Sequence, residues 1–241
     1  MHGQVRTPLD RGRTATSTPA MRHILFNDGG HVGGMEPIAV TASAETFTCN
    51  AYLVDGEATT LVDAGAMPGV EEVVAEQVDE LDRVVLTHQH GDHVAELDAV
   101  LDRFEPRVLA HGDHPRRDVA IVDGDEILVG DEACEVVHTP GHAPDHVALI
   151  GDERLYSGDV VVYNDGAFDD GSFGRTDMAG QSREQLIESL HEILDRLPET
   201  VSAMYPGHGD VYREDDGETV RAVIERATER AERREPKYPE E

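Results

Sequence analysis

The segment Thr87-His88-Gln89-His90-Gly91-Asp92-His93 places three histidines and a carboxylate within six residues, directly after the apolar run Val84-Val85-Leu86. An apolar run closed by a polar cluster has the pattern of a buried strand ending in a loop. The cluster is then delivered at the C-terminal edge of a sheet, where α/β proteins usually build their sites. Imidazole and carboxylate are the groups that Zn, Fe and Mn accept as ligands. Four of them this close together exceed any ordinary structural need. In a loop this tight they can address two adjacent metals, His88 and His90 one, Asp92 and His93 the other.

Three later positions repeat the device. Thr139-Pro140-Gly141-His142 follows the strand-like Glu135-Val136-Val137, and Tyr156-Ser157-Gly158-Asp159 follows Arg154-Leu155. Tyr205-Pro206-Gly207-His208-Gly209 follows Val201-Ser202-Ala203-Met204. Each puts a metal-ligating side chain beside a glycine just past a strand, where the missing Cβ lets backbone approach an ion or a substrate closely.

On these residues the chain resembles the metallo-β-lactamase superfamily. The HxHxDH motif from His88 to His93 is followed by His142, Asp159 and His208 in the family's order, between about Thr41 and Gly209. The resemblance implies an α/β fold, the four-layer αββα sandwich of two mixed sheets face to face with helices outside. It implies His88, His90 and His142 on one metal, Asp92, His93 and His208 on a second, and Asp159 bridging both. Two divalent ions are therefore expected, zinc first, with iron or manganese suited to the same ligands. Two such ions ~3.5–4 Å apart generate a hydroxide near neutral pH and stabilise charge on the atom it attacks. Asp92 is the expected catalytic group, orienting that nucleophile or accepting its proton. The class of reaction is metal-dependent hydrolysis.

For the substrate, the informative element is Gly171-Ser172-Phe173-Gly174-Arg175-Thr176-Asp177. A GRTD element here resembles the glyoxalase II-like branch and its relatives the persulfide dioxygenases. The first implies hydrolysis of an acyl thioester of a small thiol, with Arg175 at the substrate entrance; alternatively Arg175 pairs with Asp177 and fixes the loop. The basic cluster of the glutathione-specific enzymes is not identifiable in the sequence, which weighs against glutathione and leaves another low-molecular-weight thiol open. Alternatives are a persulfide dioxygenase with mononuclear iron and a small phosphodiesterase or nuclease. No basic patch or aromatic stacking motif supports a nucleic-acid partner. A non-catalytic binding module is disfavoured by the complete ligand set.

The elements that must position these groups follow from periodicity. Strands are expected at Ala39-Val40-Thr41, Phe47 to Val54, Thr59 to Val62, 107–110, 126–129, 133–138, 146–150 and 160–163. Gly69 to Val78 and Val94 to Phe104 have helical spacing. Ser182 to Leu197 is the clearest helix, with Ser182 as its cap and Leu186, Ile187, Leu190, Ile193, Leu194 and Leu197 on one face. Glu218 to Arg234 is a charged helix. Residues 1–20, rich in Thr, Arg, Pro and Gly, are expected to be a disordered leader, 21–235 a single domain, and 236–241 a frayed tail. Cys49 and Cys134 sit in apolar contexts and are expected as buried thiols rather than a disulfide. His111 and His114 imitate a ligand cluster but are expected outside the ligand set, and His146 either reaches the site or begins the next strand.

Composition bears on environment. The formal charge is −30, with one lysine, Lys237, among 20 basic residues and no tryptophan. Acid excess of this size repels itself at ordinary ionic strength and relaxes in molar salt, where the Debye length falls to about 3 Å. The expectation is a protein of a salt-in halophile, its acid runs forming a solvated face. No apolar run approaches the ~20 residues of a membrane span, and no apolar signal region follows the N-terminal charges. A cytoplasmic protein acting on a small molecule is expected.

Overall fold

The computed structural model describes residues 35–214 and 217–237. The expected leader, the start of the domain near residue 21 and the last residues of the tail lie outside them. One six-stranded sheet contains, in spatial order, β1 (Ile38–Ala39), β2 (Tyr52–Val54), β3 (Thr60–Val62), β4 (Arg83–Leu86), β5 (Arg107–Ala110) and β6 (Val119–Ala120). The other is built from β7 (Glu126–Val129), β8 (Glu132–His138), β9 (Val147–Ile150), β10 (Arg154–Gly158), β13 (Ala203–Pro206) and β14 (Tyr212–Arg213), while β11 (Val161–Val162) and β12 (Ser172–Phe173) form a two-stranded ribbon. The helices are α1 (Val70–Ala75), α2 (Gly91–Val94), α3 (Leu97–Phe104), α4 (Arg183–Arg196) and α5 (Val220–Glu232).

Three apolar clusters define the layers. Val70, Val74, Leu97 and Val100 of α1 and α3 pack on Leu53, Leu61, Val84 and Val108 of the first sheet. Leu186, Leu190 and Ile193 of α4 join Val220, Val223, Ile224 and Ala227 of α5 against the second sheet. Between the sheets lie Tyr52, Val62, Val85, Val136, Leu149, Tyr156 and Tyr205. The order is helix, sheet, sheet, helix, the four-layer sandwich that the sequence implied. In β3, β4 and β10 nearly every residue is buried, because each is covered on both faces.

Strand direction gathers the site. β3, β4 and β5 run parallel, with Val62 beside Val85 and Leu86 beside Ala110. Asp63, the His88–His93 loop and His111 therefore leave the same edge. In the second sheet β10 and β13 are parallel, and β8 is antiparallel to β9, itself antiparallel to β10. His142, Asp159 and His208 accordingly leave a common edge too.

Local chemistry explains the boundaries. The Ser182 hydroxyl accepts from Gln185 N, and Thr219 caps α5 by accepting from Ala222 N. The helix expected from Val94 is instead split between α2 and α3. The His93 carbonyl accepts from Ala64 N and Gly65 N, and Glu96 N donates to Gly65 O, so the ladder is interrupted there. The strand expected from Phe47 to Val54 is confined to Tyr52–Val54. Its first half bonds across the site edge instead, Cys49 N to Asp92 O and Asn50 N to Gly207 O. Both cysteines are free and buried. Among the described residues no helix is long and apolar enough to cross a membrane.

Leu190 is fully buried in the α4–α5 layer. Leu190→Ala is expected to lower unfolding free energy by about 2–5 kcal/mol, read from denaturant melts in molar salt.

Candidate metal centre

All seven ligand candidates named from the sequence converge. His142 Nε2 lies 2.9 Å from His90 Nδ1, and His88 joins them in one cluster of ligand atoms. Asp92, His93 and His208 form a second, with His208 Nε2 3.0 Å and His93 Nε2 3.9 Å from Asp92 Oδ2. Asp159 stands between them. Its Oδ2 is 3.3 Å from His142 Nε2, 3.4 Å from His208 Nε2 and 4.0 Å from His88 Nε2, while Oδ1 is 3.4 Å from His93 Nε2. Ligand atoms at tetrahedral angles around a zinc with bonds of 2.0–2.1 Å stand ~3.3 Å apart, within the range of these separations.

The outer partners of the histidines decide which nitrogen faces the centre. Thr87 Oγ1 donates to Asp63 Oδ2 (2.7 Å) and is thereby left to accept from His88 Nδ1 (3.2 Å). His93 Nδ1 donates to the same Asp63 oxygen at 2.9 Å, and His142 Nδ1 donates to the Arg175 carbonyl at 2.9 Å. Each ring is thereby set to keep one proton outward on Nδ1, so that Nε2 is the nitrogen that would face a metal once free of a proton. His146 has the same tautomer but spends its Nε2 lone pair on the protein backbone. Its Nε2 accepts from Asp159 N (2.9 Å) while Nδ1 bonds Thr139 Oγ1 (2.7 Å), which holds the backbone of the bridging carboxylate.

Three buried atoms have no hydrogen-bond partner here: His88 Nε2, His93 Nε2 and Asp159 Oδ1. A buried polar atom left bare is costly, and three in one cluster, all of ligating type, fit a divalent cation. The residues present thus fit a bound divalent metal, with more than one cluster of ligand atoms able to hold it.

Electrostatics separates the rings. Burial holds His88 and His142 below the usual imidazole range, His88 far below. For His93 burial is outweighed by Cys49, Asp63 and Asp159, and for His208 by Asp159 and Asp92, so both hold their protons more tightly than usual. Burial also opposes ionisation of Asp159 and Asp92. For Asp159 the neighbouring His93 and His208, and for Asp92 the His208 hydrogen bond and the charge of His93, reverse the effect and keep both carboxylates ionised.

Sequence reasoning did not single out Asp63, although it follows the apolar Leu61-Val62 just as Thr87–His93 follows β4. It adopts a left-handed φ of 60° and is buried beneath His93. Cys49, Asp63 and His93 lie close together, and burial pushes the Cys49 thiol up to about 11. Phe47 was expected only as a strand residue; the residue is 77% exposed, and its ring stacks on His208 at 5.1 Å and 15°. Asn50 donates through Nδ2 to Pro206 O and Gly209 O, fixing the turn that carries His208. Arg175 pairs with Asp177 through Nε (2.9 Å) and Nη2 (2.7 Å), the loop-fixing alternative, while its carbonyl orients His142. His111 stays outside the ligand set, stacked on His138 at 4.2 Å with Nδ1 on Ile121 O.

Residues 44–117 and 109–208 match the metallo-beta-lactamase superfamily. The chain belongs to that superfamily. It is 32% identical over 158 residues to the probable metallo-hydrolase YqgX of Bacillus subtilis, covering 55% of this chain and 72% of that protein. Over 164 residues it is 36% identical to a hydroxyacylglutathione hydrolase of Acidiphilium cryptum, covering 66% and 63%. With other hydroxyacylglutathione hydrolases the matched region spans about half of their length. Among solved structures, ETHE1 from Myxococcus xanthus is similar at a TM-score of 0.59 and 25% identity, over 80% of this chain and 89% of that one.

Two predictions test the centre. A Cβ on Gly207 would collide with Asp159 Oδ1 and press on the His93 ring. Gly207→Ala is therefore expected to lose bound metal, measured by mass spectrometry of the dialysed protein, while far-UV circular dichroism stays unchanged. The second concerns pH. His93 and His208 hold protons that a metal must displace, so Zn²⁺ affinity is expected to fall as pH is lowered, beginning above the ordinary imidazole value of 6.5. Calorimetric titrations in buffers of different ionisation enthalpy should register proton release on loading.

Proposed function

We propose that the chain is a metal-dependent hydrolase whose substrate is the acyl thioester of a small thiol. The observation that carries the hydrolase reading is the paired ligand cluster spanned by Asp159, with three inward ligand atoms bare. The likeness to hydroxyacylglutathione hydrolases supports the thioester as substrate. Two divalent ions, zinc by expectation, would acidify water and stabilise negative charge on the attacked carbonyl oxygen.

The chain's own groups do the rest. His88, His90 and His142 would hold one ion and Asp92, His93 and His208 the other, with Asp159 between. Asp92 is ionised, and its side chain is 19% exposed at the site, so its carboxylate is placed to orient the attacking water and take its proton. Water adds to the acyl carbon, the C–S bond breaks, and the thiol leaves with a proton. Phe47 over His208 supplies an apolar wall for the acyl group. Arg175 is the proposed substrate contact at the rim, its side chain 42% exposed. High net acidity and Lys237 as the sole lysine support a salt-rich cytoplasm as the working environment.

A second reading draws on one cluster alone. His88, His93 and Asp159 make a two-histidine, one-carboxylate set of the kind that binds a single non-haem iron. Metal content separates the two.

The deciding experiment is hydrolysis of an S-lactoyl thioester by the purified chain in molar KCl, with metal counted in the same sample. Two metals per chain and turnover that is lost in Asp159→Ala are expected. Two metals without turnover would overturn the thioester assignment, and one iron per chain would favour the oxygenase.

A further inference from the structure

The segment from Asp165 to Asp177 reaches the metal centre at two points. Gly174 lies so close to the Asp159 carbonyl and His142 Nδ1 that a Cβ there would overlap the first and press on the second. The next residue, Arg175, supplies the carbonyl that holds the His142 proton outward. Apart from the short β11–β12 ribbon, the segment has no sheet to support it, so its backbone needs other partners.

Those partners are cations from the C-terminal part of the chain. Arg226 of α5 donates to Asp170 O, Arg230 to Gly171 O, and Lys237 Nζ to Phe173 O. Lys237 also pairs with Asp165 at 2.6 Å, with side chains only 3% and 6% exposed. Arg183 at the start of α4 closes the arrangement. Its guanidinium lies 4.5 Å over the Phe173 ring, its Nε donates to Thr176 Oγ1 (2.8 Å), and Nη1 donates to Glu235 O (3.1 Å). The tail and the loop are thus bound by the same side chain.

Lys237 is the sole lysine of a chain with nineteen arginines, and it is the cation buried deepest against this loop. A compact ammonium on a narrow stem suits a closed pocket that a planar guanidinium would not enter. A pair this buried is also little screened by salt, unlike the exposed pairs of an acidic surface.

We propose that Lys237 is a positioning residue for the metal centre, holding Phe173 and Gly174–Arg175 so that the ring of His142 keeps its orientation. The proposal rests on the metal-centre reading but not on the thioester assignment. Groups behind a metal ligand affect metal affinity by roughly 10–100-fold, and one acting through a loop belongs at the lower end.

The test uses the full chain in molar KCl, stripped of metal and titrated with Zn²⁺ or Co²⁺. Lys237→Met is expected to weaken Zn²⁺ binding at the cluster that contains His142 by about tenfold and to change the visible absorption of the Co²⁺ protein. Unaltered Zn²⁺ binding and Co²⁺ spectrum, with only a lower melting temperature, would make Lys237 merely structural and overturn the proposal. A second measurement needs no variant. Lys237 carries the sole ε-amine, so acetic anhydride labelling followed by peptide mass spectrometry reads its accessibility. Coupling is reciprocal, and Zn²⁺ is expected to slow labelling about tenfold. Equal rates with and without Zn²⁺ would overturn the proposal even if the variant failed to fold. Metal-loaded wild type that leaves thioesters intact would remove the substrate assignment and leave this inference standing.

Discussion

The buried carboxylate of Asp159 is the constraint on which the site depends. Its side chain is 6% exposed, and an isolated ionised carboxylate there would be prohibitively costly. The chain answers with imidazoles on every side: His88, His93, His142 and His208 all stand within 4.0 Å of its oxygens. Their donated charge is partial, because burial keeps His88 and His142 neutral. A divalent cation among the bare ligand atoms would neutralise the remainder. The same carboxylate explains the glycines around it, since Gly174 and Gly207 leave room that any side chain would take.

Around this centre lies a layer of groups whose task is direction. Asp63 serves two rings, accepting from His93 directly and from His88 through the Thr87 hydroxyl. His146 holds the Asp159 amide, and a backbone carbonyl holds His142. These contacts fix which nitrogen of each imidazole points outward and so which one faces the centre. They also reach across both sheets, which makes the sandwich itself part of the site. The tyrosines between the sheets continue that link: Tyr52 OH donates to Pro206 O at the base of the His208 turn.

Charge is partitioned by depth. The exposed surface carries the acid excess, and pairs such as Arg233–Glu229 on α5 are open to solvent and weak in salt. Buried cations act differently. Arg154 against Glu132 and Lys237 against Asp165 are shielded from the electrolyte and hold backbone segments in place. Concentrated salt would screen the first kind and leave the second largely intact.

The clustering of the candidate ligands was legible in the sequence because their motifs are written locally, and the sandwich was legible through the family resemblance those motifs carry. His88 to His93 sit together after an apolar run, and His142, Asp159 and His208 each follow their own strand beside a glycine. The α4 boundaries were equally local, since Ser182 supplies the cap that its hydroxyl makes. What the sequence could not disclose were pairings between distant segments. Asp63 lies 30 residues from His93. Phe47 to Ala51 has strand-like composition, yet its backbone bonds to the His208 turn and to Asp92. The Arg175 carbonyl, a backbone atom that no side-chain reading selects, is what holds His142. Lys237 looked like part of a tail. Composition and period report which groups a chain owns and which face they take. Only the tertiary structure decides which of them meet, because those contacts depend on strand order and on backbone atoms that every residue shares.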